Sequence, residues 1–115
     1  DQQAAVDLMN FEGFSARASL FLSVVIAAPL FEELLFRGFL QGAMRRGYPA
    51  GVSIFAVAIF FALVHEQSVW LPVFCLGLLL GAVYEKTRGF WAPWMIHTLH
   101  NLITYIFIVS GGVDA

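Results

Sequence analysis

SARASLFLSVVIAAPLFEELLFRGFLQGAM, residues 15–44, decides how this chain is read. Its charges are Arg17, Glu32, Glu33 and Arg37, and the last three sit together in FEELLFRG, residues 31–38, deep inside the apolar run. Strand alternation is absent and the polar residues recur at spacings of three or four, which predicts a helix. About 20 apolar residues suffice to cross a bilayer, so the run is long enough for a span.

Working outward, three more apolar segments follow at 50–64, 69–84 and 90–109, separated by the polar breaks RRGYP, HEQS and EKTRG. Lipid requires every backbone group to be satisfied internally, which helices achieve. The predicted fold is therefore all-α, a multi-pass transmembrane bundle of about four apolar helices. Residues 15–110 form its core, 1–14 a polar N-terminal lead-in and 111–115 a C-terminal tail. At ~1.5 Å per residue the second and third segments reach only about 23 to 25 Å, short of a hydrocarbon core of roughly 30 Å. They stop partway or border a water-filled recess.

Composition agrees with an integral membrane location. Of the 115 residues 60% are hydrophobic and 12% charged, and the mean hydropathy is +0.81, leaving too little polar surface for a soluble domain. A net charge of -2, with no basic cluster beyond Arg45-Arg46, excludes a nucleic-acid partner. The single cysteine, Cys75, leaves no disulfide within the chain and reads as a small buried hydrophobe. No start methionine or basic n-region precedes Asp1, so a signal peptide is not expected, and the chain reads as a trimmed piece of a longer protein. Arg45, Arg46, Lys86 and Arg88 fall on one face of an up-down bundle, which the positive-inside rule makes cytoplasmic. Gly77 and Gly81 form a G-x-x-x-G, a spacing for close helix packing or self-association.

A charged side chain in hydrocarbon costs roughly 2.5 to 3.5 kcal/mol, so Glu32, Glu33 and Arg37 need compensation. Glu33 and Arg37, four apart with the acid N-terminal, pair on one helix face. Glu32 is turned about 140° from Arg37 and has no such partner in its own helix. Phe61 and His65 lie one turn apart near the end of the second segment, and HTLHN places His97 and Asn101 on one face of the fourth, with His100 one turn from His97. Measured from the basic face, Glu32 lies about 20 Å in, Asn101 about 18 Å, His97 about 12 Å and His65 about 24 Å, so all four can meet at one level. Ionisable groups converging at mid-membrane point to a functional site reached by water.

Glu32-Glu33-x-x-x-Arg37, Phe61-x-x-x-His65 and His97-x-x-x-Asn101, in this order and each in its own apolar segment, resemble the three motifs of the CPBP intramembrane protease family, also called the Abi or CAAX amino-terminal protease family. The resemblance covers about residues 15 to 109. It implies a multi-pass membrane endopeptidase, related to the enzymes that trim prenylated CAAX proteins and to bacterial members linked to bacteriocin maturation or self-immunity. By motif position Glu32 is the implied general base, His65 helps to hold the water, His97 and Asn101 stabilise the oxyanion, and Glu33 and Arg37 form the structural pair. The pattern assigns no role to His100.

Peptide hydrolysis needs an activated water, a stabilised oxyanion and a proton for the leaving amine. A carboxylate, two imidazoles and an amide supply those functions. The resembled family is often classed as metalloprotease, and zinc is chemically admissible on Glu32, His65 and His97. The sequence lacks a His-Glu-x-x-His helix, however, and the reading favours water activated by Glu32 with no metal or other cofactor. The expected partners are a peptide or protein substrate, prenylated or leader-bearing, and membrane lipid. Two other classes remain open at this stage: a non-catalytic membrane immunity or scaffold protein, and a proton or ion conduit.

Overall fold

A computed structural model describes residues 2–111, so Asp1 and most of the tail at 111–115 lie outside the described residues. Helix α1 spans Gln2–Met44, α2 Ala50–Leu63, α3 Trp70–Thr87 and α4 Trp91–Val109. A single 3-10 turn, Gln67–Val69, leads into α3. The architecture is all-α, with no strand among the described residues. Gln2–Met44 and Gln67–Thr87 are long and apolar enough to cross a membrane, whereas α2 is a shorter apolar helix. Large apolar side chains such as Leu71, Phe39 and Met95 are about 70% exposed, as residues facing hydrocarbon rather than water would be.

Several boundaries differ from the sequence expectation. The lead-in is helical from Gln2, because its Gln, Ala, Leu, Met and Glu residues are good helix formers and only Gly13 interrupts them. Helix α3 runs on through Glu85, Lys86 and Thr87, with Lys86 in its last turn where the negative end of the helix dipole favours a cation. His65 lies just past the end of α2, in the turn, although its N–H still reaches Ala62 O at 3.0 Å. Cys75 is exposed on α3 rather than buried, since it sits on a face that no other helix covers.

Helix α1 is not a uniform α-helix. It widens to π-type turns at Leu22–Ala27 and Leu34–Gln41, flanking the short α stretch Ala28–Glu33. In the first widened turn the Ala28 N–H reaches back five residues to Ser23 O. One step on, the same register would bring Val24 O its bond from residue 29, which is Pro29 and has no N–H. The widened turn thus leaves a carbonyl for another helix to satisfy.

Phe36, Val57, Phe61 and Leu80 form the buried core. The two glycines of α3 make it possible. A Cβ on Gly77 would stand 3.1 Å from Ala58 Cα, and one on Gly81 would stand 3.0 Å from Ile54 Cγ2 and 3.1 Å from Gln41 Oε1. The G-x-x-x-G face thus packs on α2 and α1 within the chain, where both glycines are buried.

Candidate active site

Three polar side chains of α1 point into the bundle. Glu33, Arg37 and Gln41 lie four residues apart, and all are fully buried. On α3, which runs parallel to α1, Gly77, Gly81 and Glu85 repeat the same spacing. Arg37 Nη2 donates to Gly77 O at 3.1 Å, Gln41 Nε2 donates to Gly81 O at 3.1 Å and to Glu85 Oε1 at 3.2 Å, and Arg45 Nε donates to Glu85 Oε2 at 3.1 Å. The absence of side chains at 77 and 81 opens those backbone carbonyls to α1.

Glu33 and Arg37 pair as their spacing predicts, with Oε2 3.5 Å from Nε. The contact is an ion pair without hydrogen-bond alignment, since neither atom has a hydrogen-bond partner in the protein. The Arg37 guanidinium also lies 4.9 Å over the Phe61 ring. Phe61 is fully buried, and its ring packs edge-on against Phe36, His65 and His97 at centroid distances of 5.2, 4.8 and 5.6 Å. It forms the wall between the buried ion pair and the two imidazoles.

The second carboxylate faces the other way. Glu32 retains 28% side-chain exposure, with Oε2 3.2 Å from His97 Nε2 and Oε1 3.8 Å from His65 Nε2. His65 Nδ1 is 2.6 Å from Phe61 O, and a carbonyl only accepts, so that nitrogen carries the proton and Nε2 turns to Glu32. Trp70 Nε1 donates to His65 O at 3.0 Å and holds the turn that carries the ring. His97 is 2% exposed and lies between two carboxylates, its Nδ1 2.9 Å from Glu33 Oε1 and its Nε2 on Glu32.

Asn101 does not point at Glu32. Its Nδ2 donates to Val24 O at 3.0 Å, filling the carbonyl that Pro29 leaves without a donor, and its Oδ1 lies 3.4 Å from exposed His100 Nδ1. Trp94 Nε1 donates similarly to Ile26 O at 3.3 Å. Trp94 and Asn101 bracket His97 and join α4 to the widened turn of α1. Sequence reasoning passed over both Pro29 and Trp94. A proline inside a helical pattern was the available signal, because it must free a carbonyl one turn back.

The structure thus brings Glu32, Glu33, Arg37, Phe61, His65 and His97 together, with Asn101 one turn further along α4 and His100 outside. The donor set that zinc would require, Glu32 with His65 Nε2 and His97 Nε2, has each imidazole Nδ1 on an oxygen acceptor, the outer contact that ligating histidines normally have. Among the described residues no group of three His, Cys, Asp or Glu side chains is arranged to hold a metal ion.

Comparison with known proteins bears on this arrangement. Residues 14–103 match the family described as type II CAAX prenyl endopeptidase Rce1-like. The chain is also similar to the UPF0177 protein YxdF of Lactococcus lactis subsp. lactis (strain IL1403), 34% identical over 79 residues that make up 67% of this chain and 43% of that protein. The chain therefore spans less than half the length of this curated relative. No solved structure matches it.

Proposed function

This chain belongs to the Rce1-like family of type II CAAX prenyl endopeptidases, a membrane-embedded protease family, and from that membership we propose that it is a multi-pass intramembrane endopeptidase in which Glu32 activates the attacking water. The observation that carries the assignment is the contrast between adjacent acids. Glu33 is fully buried against Arg37 and His97, whereas Glu32 is partly open and faces two imidazole Nε2 atoms.

In the proposed reaction Glu32 takes a proton from water, and the resulting hydroxide attacks the substrate carbonyl carbon. His97, held by Glu33, donates from Nε2 to the developing oxyanion, and the second N–H of Asn101 joins it as the substrate enters. His65 supports the water beside Glu32 at the 3.8 Å edge. The proton taken by Glu32 passes to the leaving amine, so the acid returns to its starting state. Substrates are peptides or proteins, prenylated on the cysteine of a C-terminal CAAX sequence or carrying a leader.

Zinc, if bound, would be held by Glu32, His65 and His97 and would supply Lewis-acid activation of water. We assign the reaction to the protein groups without it. Activity that survives exhaustive chelation supports this assignment, and loss on chelation with recovery on adding zinc reverses it.

Glu32→Gln tests the base directly. Cleavage of a panel of prenylated CAAX peptides and leader-bearing precursors should fall by at least about 100-fold, the lower end of what general-base catalysis contributes. The variant should unfold at the wild-type temperature, because Glu32 is partly solvated. Equal cleavage by wild type and variant would falsify Glu32 as the base.

A further inference from the structure

At the end of the bundle remote from Glu32, the close of α1 and the close of α3 border an open polar recess of about 520 Å³ lined by Gly42, Arg45, Tyr84, Glu85 and Arg88. Its one acid is already compensated. Glu85 takes a hydrogen bond from Arg45 Nε at 3.1 Å and another from Gln41 Nε2 at 3.2 Å, and Arg45 also donates Nη1 to Tyr48 O at 3.0 Å. The Arg88 guanidinium and the Tyr84 hydroxyl have no partner of this kind among the described residues, and both line the recess.

Arg88 also has an unusual backbone. At φ 55° and ψ 38° it occupies the left-handed region, and it is the one non-glycine residue with positive φ among those described. Its N–H closes α3 on Tyr84 O at 2.8 Å, the position where helices ordinarily place glycine. Gly89, next in the chain, does not take a positive φ. The chain thus bears the conformational cost on an arginine although a glycine stands beside it. Strain of this kind is retained where the side chain has a task.

We propose that this recess binds a phosphate-type anion, with Arg88 as the main charge, the Tyr84 hydroxyl as a neutral donor and Arg45 as a second cation shared with Glu85, the cations Arg45, Arg46, Lys86 and Arg88 at this end outweighing Glu85 and the negative ends of the two helix dipoles. Two sources carry that chemistry: the head group of an anionic phospholipid and a soluble phosphate. The recess lies at the end that also bears Arg46 and Lys86, where a basic pocket between membrane helices meets lipid head groups.

The test uses the full chain in neutral detergent, with thermal unfolding followed against inorganic phosphate in one arm, and against short-chain phosphatidylglycerol beside phosphatidylcholine in the other. Arg88→Gly is the informative variant. Glycine relieves the left-handed strain, so the anion-free protein should unfold at a higher temperature while anion affinity falls about tenfold or more, the loss of one charge-assisted contact. Tyr84→Phe should weaken binding less without raising the unfolding temperature. Stabilisation by phosphatidylglycerol alone assigns the site to lipid, and stabilisation by inorganic phosphate assigns it to a soluble anion. The proposal is overturned if neither probe stabilises the wild type, if Arg88→Gly binds as tightly as wild type, or if that variant unfolds at a lower temperature without anion.

Discussion

Glu33 and Glu32 are neighbours with opposite environments, and substitution should separate them. Glu33→Gln keeps the shape but removes the charge that balances Arg37, leaving a fully buried guanidinium without its ion pair. Breaking a buried pair from one side costs about 3–5 kcal/mol. This variant should therefore unfold at a clearly lower temperature, whereas Glu32→Gln should not, and an unchanged unfolding temperature for Glu33→Gln would mean that Arg37 finds another anion. The Glu33–Arg37 pair was legible from its four-residue spacing. The second contact of Glu33, to His97 Nδ1, joins residues 64 apart and depends on how α4 meets α1, which no local spacing encodes. Asn101 shows the same limit: its i,i+4 relation to His97 was readable, but its bond to Val24 follows from a widened turn in a different helix.

Between helices, packing and polarity depend on each other. The parallel run of α1 and α3 is held by Arg37 on Gly77, Gln41 on Gly81 and Arg45 on Glu85, three contacts in step along both helices. The glycines serve two ends at once, exposing carbonyls to α1 and admitting α2 on the other side. Gly77→Ala should therefore destabilise by about 1–3 kcal/mol, the usual cost of overpacking. The clash is with the Ala58 backbone, which has less freedom to move than the Ile54 side chain facing Gly81. A denaturation series on Gly77→Ala and Gly81→Ala checks this, with the larger loss expected at 77; a stability gain at 77 would show the α2–α3 contact to be looser than the distances indicate. The G-x-x-x-G spacing was visible in the sequence. That its partner would be α2 of the same chain was not, because the spacing identifies a smooth face and not what covers it.

For the molecule as a whole, the alternation of apolar runs and polar breaks made the helical bundle legible, while the length of α1 was less so. The described residues extend 66 × 30 × 19 Å, and α1 runs the length of the long axis with no buried residue in Gln2–Phe21. The proposed multi-pass arrangement makes a definite claim about sides. Arg46 and Lys86, both exposed, belong to the basic end, and Ser68, also exposed, belongs to the turn at the other end between α2 and α3. With Cys75→Ser as background to remove the exposed native thiol, single cysteines at 46, 68 and 86 can be labelled in sealed vesicles with a membrane-impermeant maleimide. Positions 46 and 86 should react from one side, the cytoplasmic one by the positive-inside rule, and position 68 from the opposite side. The native Cys75, on a lipid-facing stretch of α3, should resist the reagent until detergent admits water, since the thiolate is the reacting form. If 68 and 86 label from the same side, α3 does not cross the bilayer. The bundle would then lie in one leaflet, with Glu32 and His97 reached from the interface and no passage of the substrate through the membrane required.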